Sequence, residues 1–280
     1  MQDAECTTLL QAVAPHLGLR WRGFRNVQGQ VCKRIQRRIK QLGLPDVAAY
    51  QARLAAEPAE WSVLEQLCAV TISRFYRDTE MWQLLRQQAL PGAAQAAQAA
   101  GDEAFRAWSV GCASGEEAYT LSIVWAFEFA ERYPELPLRV LASDVGSAVL
   151  ARARAARYAV ATLRELPLGW RERAFEPVTA LTPAREWQVR EPLRAAVELR
   201  QADVRRELPA ERFRLILCRN VVFTYFDERQ QGELLERLLT RLLPGGLLVV
   251  GQGESLPACG AAPLAAGRRL EARGAGIYRG

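Results

Sequence analysis

Trp108-Ser109-Val110-Gly111-Cys112-Ala113-Ser114-Gly115-Glu116-Glu117 is the stretch whose reading decides the fold. The apolar run Phe105 to Val110 enters it as a strand, two glycines follow, and a helical segment from Glu116 to Arg132 leaves it. Gly111 and Gly115 let the backbone turn sharply and approach a ligand, in the crevice at the carboxyl end of a sheet. A dinucleotide or phosphate loop would read G-x-G-x-x-G or G-x-x-x-x-G-K-[ST], and the stretch carries neither. Its two glutamates oppose a phosphate and suit a cationic ligand.

Downstream, strands alternate with helices. Strand Leu138 to Ala142 precedes helix Ala148 to Ala156, and strands follow at Val197 to Arg200, Phe213 to Cys218 and Leu247 to Gly251. A helix from about Glu228 to Leu243 ends at Pro244-Gly245-Gly246. This alternation predicts an α/β fold with a doubly wound, mainly parallel sheet. The runs Arg268 to Ala272 and Gly276 to Arg279 predict an antiparallel edge hairpin. Tyr158 to Arg194, with Trp170, Trp187, Val189 and four prolines, exceeds what one crossover needs and reads as an insertion with β structure. The second strand closes on Asp144, a carboxylate able to accept from ribose hydroxyls or to serve as a helix N-cap.

Upstream the pattern is helical. Val31, Ile35, Ile39 and Leu42 form one stripe, ended by Gly43, and amphipathic stretches Val47 to Leu54 and Trp61 to Cys68 follow. Gly92 to Ala104, rich in Ala and Gln, reads as a helix tail and linker. Three parts are expected: a basic helical, partner-binding domain over 1–70, a linking and cofactor-covering segment over 71–104, and a catalytic domain over 105–280 with its insertion near 158–194.

Composition narrows the chemistry. At 280 residues and 50% apolar, the chain can bury a large core with a smaller domain beside it. No leader-like or membrane-length apolar run appears, so a cytoplasmic location without membrane insertion is expected. Six cysteines without a C-x-x-C pair argue against a disulfide framework and a thiolate metal site; they read as reduced core residues. His16 is the only histidine, which argues against His-ligated metal and Ser-His-Asp designs, so no metal is expected. The net charge is +6, and Arg20 to Lys40 carries eight Lys or Arg and no acid, a face for an acidic partner. Arg34, Arg37 and Arg38 read equally as a solvated helix face. Trp108, Trp125 and Phe129 read as core, and Cys112 and Cys218 as small apolar fillers.

Three blocks in order resemble the CheR-type chemotaxis methyltransferases, which methylate receptor glutamates. They are Thr71-Ile72-Ser73-Arg74-Phe75-Tyr76-Arg77-Asp78 (T-x-F-F-R-D), Gly111 to Tyr119 (GCASGEEAY), and Cys218-Arg219-Asn220-Val221 with Tyr225-Phe226-Asp227 (CRNV-x-x-YFD). The resemblance implies a class I, Rossmann-like methyltransferase using S-adenosylmethionine and releasing S-adenosylhomocysteine. It implies cofactor contacts from Thr71, Ser73, Arg77, Gly111, Glu117, Asp144, Asp203, Val204, Arg219 and Asn220. Arg77 and Tyr225 would stand at the reacting centre, and Arg34, Arg37 and Arg38 would meet an acidic helical receptor. A monomer is expected, with no nucleic-acid partner.

The chain departs from that pattern in four places. Four residues separate Asn220 from Tyr225 where three are usual, Ala118 replaces proline, Asp203 stands for Asn, and Gly251-Gln252-Gly253-Glu254 keeps part of G-x-S-E. Two rival readings remain. A nucleic-acid methyltransferase would carry [DNS]-P-P-[YFW] where Arg219-Asn220-Val221-Val222 stands, and a non-catalytic cofactor sensor would keep the pocket alone.

Overall fold

A computed structural model describes residues 3–70, 73–178, 185–257 and 270–280. The strands are β1 (Phe105–Val110), β2 (Leu138–Asp144), β3 (Arg157–Ala159), β4 (Phe175–Pro177), β5 (Glu186–Val189), β6 (Val197–Gln201), β7 (Phe213–Cys218), β8 (Leu242–Val250), β9 (Glu271–Gly274) and β10 (Ile277–Arg279). The α-helices are α1 (Asp3–Val13), α2 (Gln28–Gln41), α3 (Val47–Ala56), α4 (Pro58–Cys68), α5 (Thr79–Leu84), α6 (Leu90–Ala99), α7 (Glu116–Glu128), α8 (Ser147–Ala155), α9 (Trp170–Ala174), α10 (Glu191–Ala195), α11 (Val222–Tyr225) and α12 (Glu228–Arg241).

Seven strands form one sheet in the order β6-β2-β1-β7-β8-β10-β9. The first five are parallel, while β10 runs antiparallel to both β8 and β9. The α/β class, parallel sheet and C-terminal hairpin are as the sequence predicts. Because the order reverses between β1 and β7, the crevice beyond their carboxyl ends is where such a sheet takes its ligand. β1 and β7 read as near-continuous apolar runs because both faces are covered, and all six residues of β7 are buried.

Contacts divide the chain into two units. The helical unit comprises the N-terminal helices together with Thr224–Gln230, and the sheet unit holds the rest. In the helical unit the α2 stripe Val31, Ile35 and Ile39 is buried with Leu9, Leu10, Phe24, Tyr50 and Leu64. Arg38 donates twice to the buried carboxylate of Glu60 (2.9 and 2.7 Å), which also accepts from Tyr50 Oη (3.0 Å).

Three readings change. Cys6 and Cys32 are joined by a disulfide, contrary to the expectation of reduced thiols throughout; the pairing arises from α1 packing on α2, which spacing cannot reveal. Cys68, Cys112 and Cys218 are free and buried, and Cys259 lies outside the described residues. The alanine-rich segment is helical to Ala99 in α6, as a helix tail requires, but its Ala93, Ala94 and Ala97 pack into the sheet core with Leu90, so its small residues also serve close packing. Strand β8 starts at Leu242, so Pro244 and Gly245 lie within it, beside a register shift opposite Phe213 and Leu215, rather than ending a helix. The insertion contains the small antiparallel sheet β3-β5-β4.

Candidate cofactor site

The first wall is the turn between β1 and α7. Gly111 has φ 68°, and a Cβ there would strike Val221, with Cγ1 at 3.2 Å. Gly115, at φ 90°, begins α7, where a Cβ would come within 3.1 Å of both Ala153 and Tyr119. Neither glycine can be replaced without moving a neighbour, as a close-approach turn requires. The sheet extends into the turn through Cys112 N–H, which donates to Ser143 O (3.0 Å).

Asp144, at the tip of β2, ties the second wall to the first. Its carboxylate oxygens accept from Ala113 N–H (2.9 Å) and Gly146 N–H (2.8 Å). Burial pushes this carboxyl above its ordinary range, partly offset by the amides of Gly146, Ala113 and Val145. The N-cap position of α8 falls to Gly146, and Asp144 keeps acceptor capacity on both oxygens.

Arg219, directly after β7, fills the centre, with its side chain 4% exposed. It donates to Glu117 Oε2 (2.9 Å), Asp78 Oδ2 (2.6 Å) and the carbonyl of Arg77 (2.9 Å). Glu117 also accepts from Ser109 Oγ (2.7 Å). The three blocks of sequence thus meet on one guanidinium. Asp78 was not among the anticipated residues, although its place in the Arg77 block and its charge were visible. Glu254 was missed as well: its Oε2 accepts from Asn220 N–H (3.0 Å) and from Gly251 N–H.

Tyr76, Asp78, Ala113 and Asn220 all have positive φ (58°, 63°, 48° and 57°). Strained backbone of this kind persists where the surroundings over-determine it, which is common at ligand sites. These four belong to the three blocks.

The remaining anticipated residues are distributed as follows. The Ser73 side chain hydrogen-bonds Glu116, and Arg77 is one-third exposed with Nε 4.0 Å from Asp78 Oδ1. Asp203 lies beyond β6; burial alone would push its carboxyl up, but hydrogen bonds from Arg205 outweigh this and hold it below its ordinary value. Val204 lines a small cavity with Trp108, Leu141 and Ser143. Thr71 lies outside the described residues. Tyr225 belongs to the helical unit, where its ring packs against Phe24 (centroids 5.4 Å). In that unit Arg34 donates to the carbonyls of Leu67 (3.3 Å) and Ala69, and Arg38 to Glu60, while Lys33, Arg37 and Lys40 are exposed.

The site suits S-adenosylmethionine better than a phosphate ligand. Its buried cation, Arg219, is spent on two carboxylates, and among the described residues the buried Glu116 Oε2 has no hydrogen-bond partner. Burial raises the Glu116 carboxyl, only partly opposed by hydrogen bonds from the backbone and Ser73 and by Arg152. A turn supplying acceptors and a close backbone approach fits a ligand bearing a sulfonium, an ammonium and two ribose hydroxyls.

A family model described as CheR methyltransferase, SAM binding domain, matches residues 71–263. Chemotaxis protein methyltransferase 2 of Pseudomonas aeruginosa is 31% identical over 232 residues, covering 80% of this chain and 78% of that one. A Klebsiella aerogenes chemotaxis protein methyltransferase is 31% identical over 234 residues, covering 80% and 74%. An uncharacterized 104.1 kDa protein of Rhodobacter capsulatus is 30% identical over 230 residues, 81% of this chain but 23% of that one. No described helix is long and apolar enough to cross a membrane.

Proposed function

The chain belongs to the CheR methyltransferase family and takes S-adenosylmethionine as cofactor, and from that premise we propose that it is a protein-glutamate O-methyltransferase acting on a chemoreceptor-like signalling protein. The observation that carries this reading is the convergence of Asp78, Glu117 and the Arg77 carbonyl on Arg219, which joins the three motif blocks at one guanidinium. We assign cofactor contacts to Thr71, Ser73, Arg77, Gly111, Glu117, Asp144, Asp203, Val204, Arg219 and Asn220. Arg219 acts chiefly by fixing Glu117 and the Arg77–Asp78 turn.

When bound, the cofactor supplies an electrophilic sulfonium methyl and leaves as S-adenosylhomocysteine. A glutamate acceptor, with an ordinary pKa of about 4.3, is already ionised at neutral pH and needs no general base. This agrees with a chain whose one histidine, His16, lies in the helical unit. The work left to the protein is alignment and exclusion of water, which supply up to roughly 7 to 11 kcal/mol in favourable cases. Arg77 and Tyr225 position the acceptor and the cofactor without moving a proton. The exposed Lys33, Arg37 and Lys40 of α2 offer a face to an acidic helix, whereas Arg34 and Arg38 also brace their own domain.

The test is incubation with methyl-tritiated S-adenosylmethionine and whole-cell extract. Base-labile label on protein supports the reading; label on nucleic acid, or none despite cofactor binding, overturns it. Tyr225→Phe should slow transfer on the order of 100-fold, the scale of losing one well-placed hydrogen-bond donor, while leaving the cofactor Kd within about twofold. An unchanged rate removes Tyr225 from the mechanism.

A further inference from the structure

The segment between α1 and α2 holds the Tyr225 turn by its backbone. Arg20 N–H donates to Tyr225 O (2.8 Å), and Arg20 Nε donates to Thr224 O (3.0 Å). Asp227 N–H returns a hydrogen bond to Gly18 O (3.0 Å), and Leu19 pairs with Phe226 in an antiparallel bridge. Asp227 Oδ1 then accepts from Gln230 N–H (2.8 Å), which starts α12 directly after the held stretch.

Two glycines set the closeness of this grip. Gly18 is in the left-handed region (φ 64°), and a Cβ there would overlap the Gln230 amide. Gly23 lies in the short helical turn Trp21–Phe24 without a positive φ, so any residue could adopt its backbone. A Cβ at Gly23 would nevertheless run into Thr224 O and come within 3.0 Å of Tyr225 Cδ1. Phe24, next in sequence, packs its ring on Tyr225 and lies in the same buried cluster as Val31 and Ile35 of α2. Tyr225 therefore belongs to the packed body that displays the basic helix.

We propose that Gly18–Phe24 is a positioning clamp for Tyr225, with Arg20 and Gly23 as its determining residues, so that the acceptor-recognising unit itself sets the aim of the transfer residue. The clamp rests on the role given to Tyr225 above.

Gly23→Ala tests the clamp by sterics alone, and Gly29→Ala, where a Cβ meets nothing within 4 Å, is its matched control in the same unit. The full chain carrying 3-fluorotyrosine at position 225 reports the turn by fluorine NMR, and base-labile methyl transfer to whole-cell extract reports function. Gly23→Ala should move the fluorine signal and slow transfer at least tenfold, with the cofactor Kd within twofold of the parent and Gly29→Ala unchanged in both. Arg20→Ala should do the same, and Arg20→Lys should recover part of the rate. An unmoved fluorine signal in a folded Gly23→Ala protein overturns the clamp. A moved signal with full transfer overturns its bearing on the reaction. If Tyr225→Phe also transfers at the parent rate, the role of Tyr225 has failed, and the clamp's function falls with it.

Discussion

The loops beyond β1, β2 and β7 and the helix α2 are both rich in charge, yet folding uses the charge in opposite ways. At the loops one arginine, Arg219, is buried between two carboxylates, and nearby acids are left with spare acceptors. On α2 five basic residues divide: Arg34 and Arg38 turn inward to carbonyls and to Glu60, while Lys33, Arg37 and Lys40 face water. Charge density in a sequence is thus not a measure of charge on offer. What decides is which of those groups the packing has already paired.

Arg219→Leu breaks the first region most severely. It strands Asp78 and Glu117 without their cation, and uncompensated buried charge typically costs about 3 to 5 kcal/mol. Denaturant unfolding should show that loss, and calorimetry should show no S-adenosylmethionine binding. A loss below about 1 kcal/mol would mean that the three blocks are joined by packing and not by this guanidinium.

On α2 the effect should be smaller and should separate neighbours on the same helix. Arg38→Leu leaves the Glu60 carboxylate with the Tyr50 hydroxyl and the more distant charge of Arg53 and should cost about 1 to 3 kcal/mol, whereas Arg37→Leu should stay within about 0.5 kcal/mol. Arg38 holds the Glu60 carboxyl below its ordinary value, against the opposing effect of burial. The stability it contributes is present above the unfolded carboxylate pKa of about 4.3 and is lost as pH falls through the lowered folded value. The Arg38→Leu deficit, followed by thermal melts, should therefore be largest at neutral pH and shrink in acid.

The same division explains what could be read from sequence. The sheet, the glycine turn and the α2 stripe were legible because each depends on local period or local backbone conformation. Val31, Ile35 and Ile39 face inward as their spacing demands. The partners of Arg219, the Cys6–Cys32 bond and the inward turn of Arg34 depend on residues 26 to 142 positions apart meeting in space. Pattern alone cannot select those pairs. The core packing of Ala93, Ala94 and Ala97 is hidden for a related reason: in a helix tail small residues mark a linking segment and a close helix contact equally well. The four residues before Tyr225 give a count, whereas the hydrogen bonds from Arg20 that hold Thr224 and Tyr225 join positions about 200 apart and leave no trace in the pattern.

The smallest effect sharpens the contrast through two buried glutamates whose carboxyls are shifted in opposite directions. Glu60 is stabilised as a carboxylate by Arg38, whereas Glu116 is buried with Oε2 unpartnered and its carboxyl is pushed up. A carboxyl raised in the folded state contributes stability below the unfolded pKa of about 4.3 and withdraws it as pH rises through the folded value. Glu116→Gln removes that withdrawal while retaining a polar group of the same shape for Ser73. The variant should be more stable than the parent at pH 7 by on the order of 1 kcal/mol and should converge with it in acid. Glu60→Gln should show the reverse, destabilised at pH 7 and converging as pH falls. Parallel pH series of melting temperature would decide, and if both variants shift in the same direction, the two carboxylates are not held in opposite protonation preferences by their surroundings.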